Sequence, residues 1–253
     1  MGLVLRYAAL GEATGFDYRN MLHAHSHIAA LGWVYQMMYL LIVRSYVPEN
    51  TQESKRSFGR LFIVTQLSVV GMMVSFPLQG YGIYSIISSA LHILCTYFFL
   101  FLLLKHSAPR NNLEKAAIRA FCLFLMLTTA GIIGLAMSIN FYGKGSVQYL
   151  LSIQFYLHFL FSGAFVFGLL AILFRKMPDD VKEGSVRKGI QGIYWIALSV
   201  LFGFSLPMMW FYPGEIWYTL YGVSVFQQAA GTQLLYKSAV GLETERFRRT
   251  GTA

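Results

Sequence analysis

Residues 83–104, IYSIISSALHILCTYFFLFLLL, decide the fold, because these 22 residues include no aspartate, glutamate, lysine or arginine. A helix needs about 20 apolar residues to cross the hydrocarbon core of a bilayer, so this stretch predicts a transmembrane helix. It also places a histidine, His92, inside that helix. An ionisable side chain at membrane depth is costly, and it therefore indicates a functional site as well as a fold.

The rest of the chain has the composition of a membrane protein. Of its 253 residues, 56% are hydrophobic and 12% are charged, about half the charged share of an ordinary soluble domain. The mean hydropathy is +0.54. The net charge is +9, but the basic residues fall between the apolar runs, which argues against a nucleic-acid-binding protein. Cys95 and Cys122 lie in separate apolar segments and predict no disulfide.

Seven apolar segments predict an all-α bundle of seven transmembrane helices, forming a single integral membrane domain over residues 1–253. Turn-forming residues, such as Pro109 and Pro213, separate the segments. The predicted spans are residues 20–43, 59–79, 83–104, 118–140, 148–174, 189–211 and 216–236.

The basic residues predict the orientation of these helices. Of the 20 lysines and arginines, 17 lie in four segments, residues 44–60, 105–119, 175–188 and 237–253. Because basic loops stay in the cytoplasm, the N-terminus is expected outside and the C-terminus in the cytoplasm. An odd number of spans agrees with that arrangement. We expect a multi-pass protein of a bacterial plasma membrane.

Histidine is the ionisable residue type that remains at membrane depth. All eleven aspartates and glutamates lie outside the predicted spans or at their edges, which argues against a carboxylate-based proton or cation pathway. His106 is expected to be solvated in a cytoplasmic loop. Imidazole is the commonest metal ligand, so the other histidines predict a metal or heme site in the outer half of the membrane. They are His23, His25, His27, His92 and His158.

The spacing of the first three histidines adds geometry to this prediction. At about 100° per residue, His23 and His27 lie about 40° apart around a helix, while His25 points about 160° from either. A single metal ion would bind His23 and His27, and His25 would not be a ligand. Two hemes flanking the helix would use one histidine on each side.

The run His25-Ser-His27-Ile-Ala-Ala-Leu-Gly-Trp33 resembles a stretch in the catalytic subunit of the C-type heme–copper oxidases, H-x-H-x-x-x-L-G-W. The related nitric oxide reductases carry a looser H-x-H version. The resemblance covers about ten residues, and it implies one or two hemes b. It implies that His25 faces an active-site heme and His27 a low-spin heme. The chain has no adjacent His-His pair for a copper site, so the implied protein is a compact heme-carrying relative.

Three functions remain open at this point. The first is a membrane heme b protein with ligands from the first helix (His25 or His27) and from the third or fifth helix (His92 or His158). Such a protein would transfer electrons from quinol or another membrane donor, or bind or reduce a diatomic gas, which leaves an oxidoreductase activity open. The second is a copper or zinc protein that uses the same histidine layer, for copper handling with methionines such as Met72, or for metal-dependent hydrolysis. The third is a cofactor-free assembly subunit.

Overall fold

The computed structural model describes residues 2–10, 15, 17–48, 52–177 and 183–250, with side chains in the last helix described up to residue 240. Every regular element within these ranges is a helix. Residues 49–51 and 178–182, which separate predicted spans, lie outside the described residues. So do the side chains of most of the C-terminal basic segment.

The chain divides into two compact units, residues 1–108 and residues 109–253. In the first unit, Asp17 caps the second helix by accepting a hydrogen bond from the Asn20 backbone N–H at 2.8 Å. The third helix packs against both the second and the fourth. The described helices of this unit are α1 (Gly2–Ala9), α2 (Tyr18–Tyr46), α3 (Gln52–Gln79) and α4 (Ile83–His106).

In the second unit, long helices again lie side by side. Its described helices are α5 (Asn112–Phe141), α6 (Val147–Arg175), α7 (Glu183–Gly203), α8 (Ser205–Phe211) and α9 (Glu215–Thr250). The last helix packs along α7, and α5 packs against α6. A Cβ atom on Gly131 would lie 2.7 Å from the backbone nitrogen of Tyr156, so this glycine lets α5 and α6 approach closely.

Six helical segments in the described part of the chain are long and apolar enough to cross a membrane. They are α2 to α6 and the segment Glu183–Phe211, which contains α7 and α8. At most 56% of the most apolar window of any of them is buried within the protein. The exposed remainder includes apolar side chains such as Phe98 and Phe101, which suit contact with lipid. The prediction of an all-helical, multi-pass membrane protein is confirmed at this level.

The structure differs from the predicted spans in two places. The predicted seventh span lies in a helix, α9, but Gln227, Gln228 and Gln233 lower its hydropathy, and it is not among the six. The predicted helix 189–211 is interrupted by a turn at Phe204. Pro207 lies four residues after Gly203 and has no N–H to bond to its carbonyl, which explains the interruption.

Aromatic side chains pack in the interior of the first unit, between α2, α3 and α4. The rings of Tyr39 and Phe99 stack with their centroids 4.3 Å apart. The Tyr39 hydroxyl donates a hydrogen bond to the Phe58 carbonyl at 2.8 Å. These three residues lie on α2, α4 and α3 and are at most 2% exposed, so they hold the three helices together.

A buried carboxylate ties α5 to α6 in the second unit. Glu114 is fully buried and accepts hydrogen bonds from the Arg110 backbone N–H and side-chain Nε, both at 2.8 Å. The Nη1 atom of Arg175 donates to the same carboxylate at 3.2 Å. Arg110 also donates to the Arg175 carbonyl at 2.7 Å, at the end of α6. This cluster neutralises the buried charge and satisfies the last carbonyls of α6.

Candidate functional site

His27 has the geometry of a fixed ligand in the first unit. Its Nδ1 atom lies 2.8 Å from the carbonyl oxygen of His23, one turn earlier on α2. Because a carbonyl oxygen only accepts, Nδ1 carries the proton and Nε2 carries the lone pair. Metal-binding histidines are commonly fixed in this way, with one ring N–H held by the protein and the other nitrogen on the metal.

Aromatic rings surround this part of α2. The centroid of the His27 ring lies 4.5 Å from that of Phe76 on α3. Tyr81, in the turn that leads to α4, lies 6.2 Å from His27 and 5.0 Å from His23 by the same measure. The wall beside His27 is therefore apolar, as suits the hydrophobic faces of a flat cofactor.

Directly after His27, the helix changes from α to π geometry over Ile28–Val34. The Tyr35 backbone N–H bonds to the Ala30 carbonyl, five residues earlier. In a regular α-helix it would bond to Leu31 instead. The π segment therefore leaves the Leu31 carbonyl available to groups outside α2.

His92 is the most buried of the five predicted histidines, with 3% of its surface exposed. Its ring centroid lies 4.9 Å from that of Tyr35, and its Nδ1 atom lies 3.5 Å from the Thr96 hydroxyl oxygen. The Nε2 atom is buried and has no hydrogen-bond partner among the described residues. An unpaired buried polar atom costs about 1–3 kcal/mol, so this nitrogen indicates a place where a ligand or a water binds.

Two of the predicted ligands, His27 and His92, lie in the first unit, on α2 and α4. The His92 ring contacts α2 at Tyr35, eight residues after His27, with the ring centroids 4.9 Å apart. His25 points elsewhere: a Cβ atom on Gly2 of α1 would lie 3.5 Å from its Cε1 atom. The two histidines of the H-x-H run therefore have different neighbours, His25 next to α1 and His27 next to α3 and the turn that leads to α4.

His158, in the second unit, already has a partner. Its Nε2 atom lies 2.7 Å from the Val200 carbonyl oxygen on α7. Because a carbonyl oxygen only accepts, Nε2 donates this hydrogen bond, which ties α6 to α7. The His158 ring also contacts the rings of Phe159 and Phe204, with centroids 5.0 and 5.9 Å away.

The structure corrects the prediction that His106 is solvated in a loop. This histidine lies in the last turn of α4 and is half-buried. Its Nδ1 atom is 3.0 Å from the Ser54 hydroxyl oxygen on α3. Helix α4 continues two residues beyond the predicted span, because hydropathy marks the apolar core of a helix rather than its end.

The copper and zinc reading receives less support from the geometry. Over the described ranges, no group of three or more histidine, cysteine, aspartate or glutamate side chains is placed to hold a metal ion. Met72, a candidate thioether ligand, is fully buried and packs with Ala24, Val69 and Phe76. A heme iron places fewer demands on the protein, because the porphyrin supplies most of its ligands.

Two polar residues of this region were not among the site residues predicted from the sequence. Tyr35 and Gln36 follow the π segment, are 2% and 3% exposed, and carry polar side-chain atoms without a hydrogen-bond partner among the described residues. Their polarity alone gives no signal, since tyrosine and glutamine occur on many membrane helices. The two π segments share a preceding histidine and a glycine five residues after it, Gly32 and Gly163.

In comparisons with known proteins, no family model, no curated protein and no solved structure matches this chain.

Proposed function

We propose that this protein is a membrane heme b protein in which His27 and His92 are the axial ligands of one iron. The observation that carries the proposal is the buried, unpaired Nε2 atom of His92 on α4, in the same unit as His27, whose own Nε2 atom keeps its lone pair. Two imidazoles on different helices are the donor set of a bis-histidine heme.

The surrounding residues fit this donor set. The His23 carbonyl fixes the His27 ring and leaves its Nε2 atom as the ligating nitrogen. The Thr96 hydroxyl oxygen lies 3.5 Å from the Nδ1 atom of His92 and orients its ring. A bis-histidine heme, when bound, supplies reversible one-electron transfer.

The resemblance of the H-x-H run supports a second role, for His25. This histidine lies next to α1, away from His27 and His92, so any heme that it holds is a separate one. With one protein ligand, such an iron keeps a position open for a diatomic gas. His158 remains a candidate ligand in the second unit, where it would have to exchange the Val200 carbonyl for iron.

The proposal includes the orientation of the chain in the membrane. The basic loops favour a seventh span within α9, an N-terminus outside and a C-terminus in the cytoplasm of a bacterial cell. The histidine layer then lies toward the outer side of the plasma membrane. Quinol, or another electron donor dissolved in or bound to the membrane, is the proposed partner.

The optical spectrum tests the proposal. We expect protein purified in detergent, from cells with ample heme, to show a Soret band, and sharp α and β bands after reduction with dithionite. Carbon monoxide should leave the bands of the His27–His92 heme unchanged, because both axial positions are filled. A colourless protein would overturn the proposal. Bound copper or zinc in that protein would favour the metal alternative, and a co-purifying partner without metal would favour an assembly subunit.

A further inference from the structure

One side of the last helix, α9, packs along α7. There the Ser224 hydroxyl donates to the Ser199 carbonyl at 2.8 Å. Nearer the C-terminus, the Ser238 hydroxyl donates to the Ser185 carbonyl, also at 2.8 Å. The buried residues on this side are Ser224, Gln227, Gly231 and Ser238. Because α7 belongs to the candidate span Glu183–Phe211, this part of α9 lies beside a segment that crosses the membrane.

The opposite side of α9 is exposed. Five exposed residues, spaced alternately three and four apart, follow one line about 150° around the helix from the buried side. We name them the exposed strip: Gly222, Val225, Ala229, Thr232 and Tyr236. This spacing is the a and d pattern of paired helices, and small residues let two membrane helices approach closely.

Two glutamines flank the exposed strip. Gln228 and Gln233 are exposed, and neither side chain makes a hydrogen bond within the described part of the chain. Gln228 lies about 14 Å along the helix from Lys237, near the middle of a hydrocarbon core about 30 Å thick. A primary amide has two N–H donors and an acceptor oxygen, which are costly to leave unbonded away from water. These amides therefore indicate a polar partner inside the membrane.

A second copy of this chain supplies the matching groups. Copies inserted in the same orientation bring their α9 helices together in parallel, so the heptad positions of parallel pairs apply. With Ala229 at position a, Thr232 lies at d. Gln228 then lies at g and Gln233 at e, five residues later. Positions g and e of two parallel helices face each other at this offset, so Gln228 of one copy lies beside Gln233 of the other.

We propose that this protein forms a homodimer through the exposed strip, with Gln228 of each copy hydrogen-bonded to Gln233 of the other inside the membrane. The two-fold axis produces this amide pair twice, and each amide both donates and accepts. The same surface is used on both copies, so the assembly closes at two. The inference rests on the proposed seventh span within α9 and does not depend on heme.

Cysteine cross-linking in membranes that contain the full-length protein tests this arrangement. The starting variant has Cys95 and Cys122, both buried, replaced by alanine. Oxidation with copper–phenanthroline should then link Ala229→Cys into a disulfide dimer, because position a of each copy faces its equivalent. Val223→Cys is the matched control. Val223 is 41% exposed on the same helix but lies about 120° around it from Ala229, so this variant should stay monomeric.

Gln228→Leu tests the amide pair itself. Energy transfer between labelled copies in liposomes, measured at decreasing ratios of protein to lipid, gives the dimer affinity. The variant loses both symmetric amide pairs, so we expect the dimer to be at least about tenfold weaker. Val223→Leu should dimerise like wild type. Equal cross-linking at residues 223 and 229, or a Gln228→Leu dimer as tight as wild type, would overturn the proposal.

A water-soluble maleimide distinguishes a failure of the dimer from a failure of the span. Ala229→Cys should not be labelled in intact membranes, because residue 229 of the proposed span lies within the hydrocarbon core. Labelling would overturn the seventh span and the dimer with it. An unlabelled cysteine that does not cross-link would overturn the dimer alone. Both results are independent of the optical spectrum that tests the proposed heme.

Discussion

Each unit contains a histidine followed at once by seven residues of π-helix, and the two histidines differ in what their rings bind. In the first unit, His27 is held through Nδ1 by a carbonyl of its own helix. In the second, His158 contacts the Val200 carbonyl of another helix through Nε2. The same local arrangement therefore leaves the Nε2 atom of His27 available as a ligand, whereas the Nε2 atom of His158 is used in a hydrogen bond between two helices.

We infer that the neighbouring helices decide the role of such a histidine. In the first unit, α4 carries His92, whose Nε2 atom has no partner among the described residues. In the second unit, the Val200 carbonyl of α7 accepts a hydrogen bond from His158. A π segment is frequent at functional sites, but here it is not sufficient evidence for one.

The largest expected effect is on the free energy of unfolding, and it compares a substitution in the second unit with one in the first. Glu114→Gln removes the buried charge that α5 and α6 share with Arg110 and Arg175, so it should destabilise the protein by about 3–5 kcal/mol. Thermal unfolding in detergent measures this effect. The matched control, Glu53→Gln, changes an exposed carboxylate in the first turn of α3 and should shift stability by less than about 0.5 kcal/mol. Equal shifts would mean that the ion cluster contributes little.

The next effect is on heme affinity. His27→Ala or His92→Ala removes a proposed axial ligand, and we expect about a hundredfold weaker heme binding, given that about 1.4 kcal/mol corresponds to each factor of ten. Heme titration of the apoprotein, followed in the Soret band, measures it. His106→Ala, a histidine outside the layer, should bind heme like wild type. Unchanged affinity in both ligand variants would contradict the assignment.

Much of this picture could be predicted from the sequence, and part of it could not. The uncharged run around His92 predicted a membrane helix, because length and hydropathy alone define a span. The H-x-H spacing predicted that His25 and His27 would face different neighbours. That His92 approaches α2 while His158 contacts α7 depends on helix rotation and on the π segments. Both follow from packing between distant residues, which periodicity does not record.

A smaller effect on stability is expected at the two glycines that follow His27 and His158 in the π segments. A Cβ atom on Gly32 would lie 2.8 Å from Val69 Cγ1, and one on Gly163 would lie 2.7 Å from the Phe124 ring. Alanine at either position should therefore cost about 1–3 kcal/mol by overpacking. Gly59→Ala is the control: nothing lies within 4 Å of that Cβ position, so alanine should stabilise helix α3 by about 0.5–1 kcal/mol. Neutral substitutions at Gly32 and Gly163 would show that the close contacts relax without strain.

The smallest effect concerns the hydrogen bond of His158. His158→Leu removes the donor to the Val200 carbonyl, and a typical hydrogen bond contributes about 1 kcal/mol, so unfolding should shift by about that amount. Heme affinity at the His27–His92 pair should not change. A large loss of heme with no loss of stability would instead make His158 a ligand.

The most direct test of the central claim is the electron paramagnetic resonance spectrum of the oxidised, heme-loaded protein. Two axial histidines give a low-spin ferric signal in wild type, and we expect this signal to convert to high spin in His92→Ala. His158→Ala should keep the low-spin signal. The reverse pattern, with the low-spin signal lost in His158→Ala and kept in His92→Ala, would contradict the assignment of His92 as a ligand.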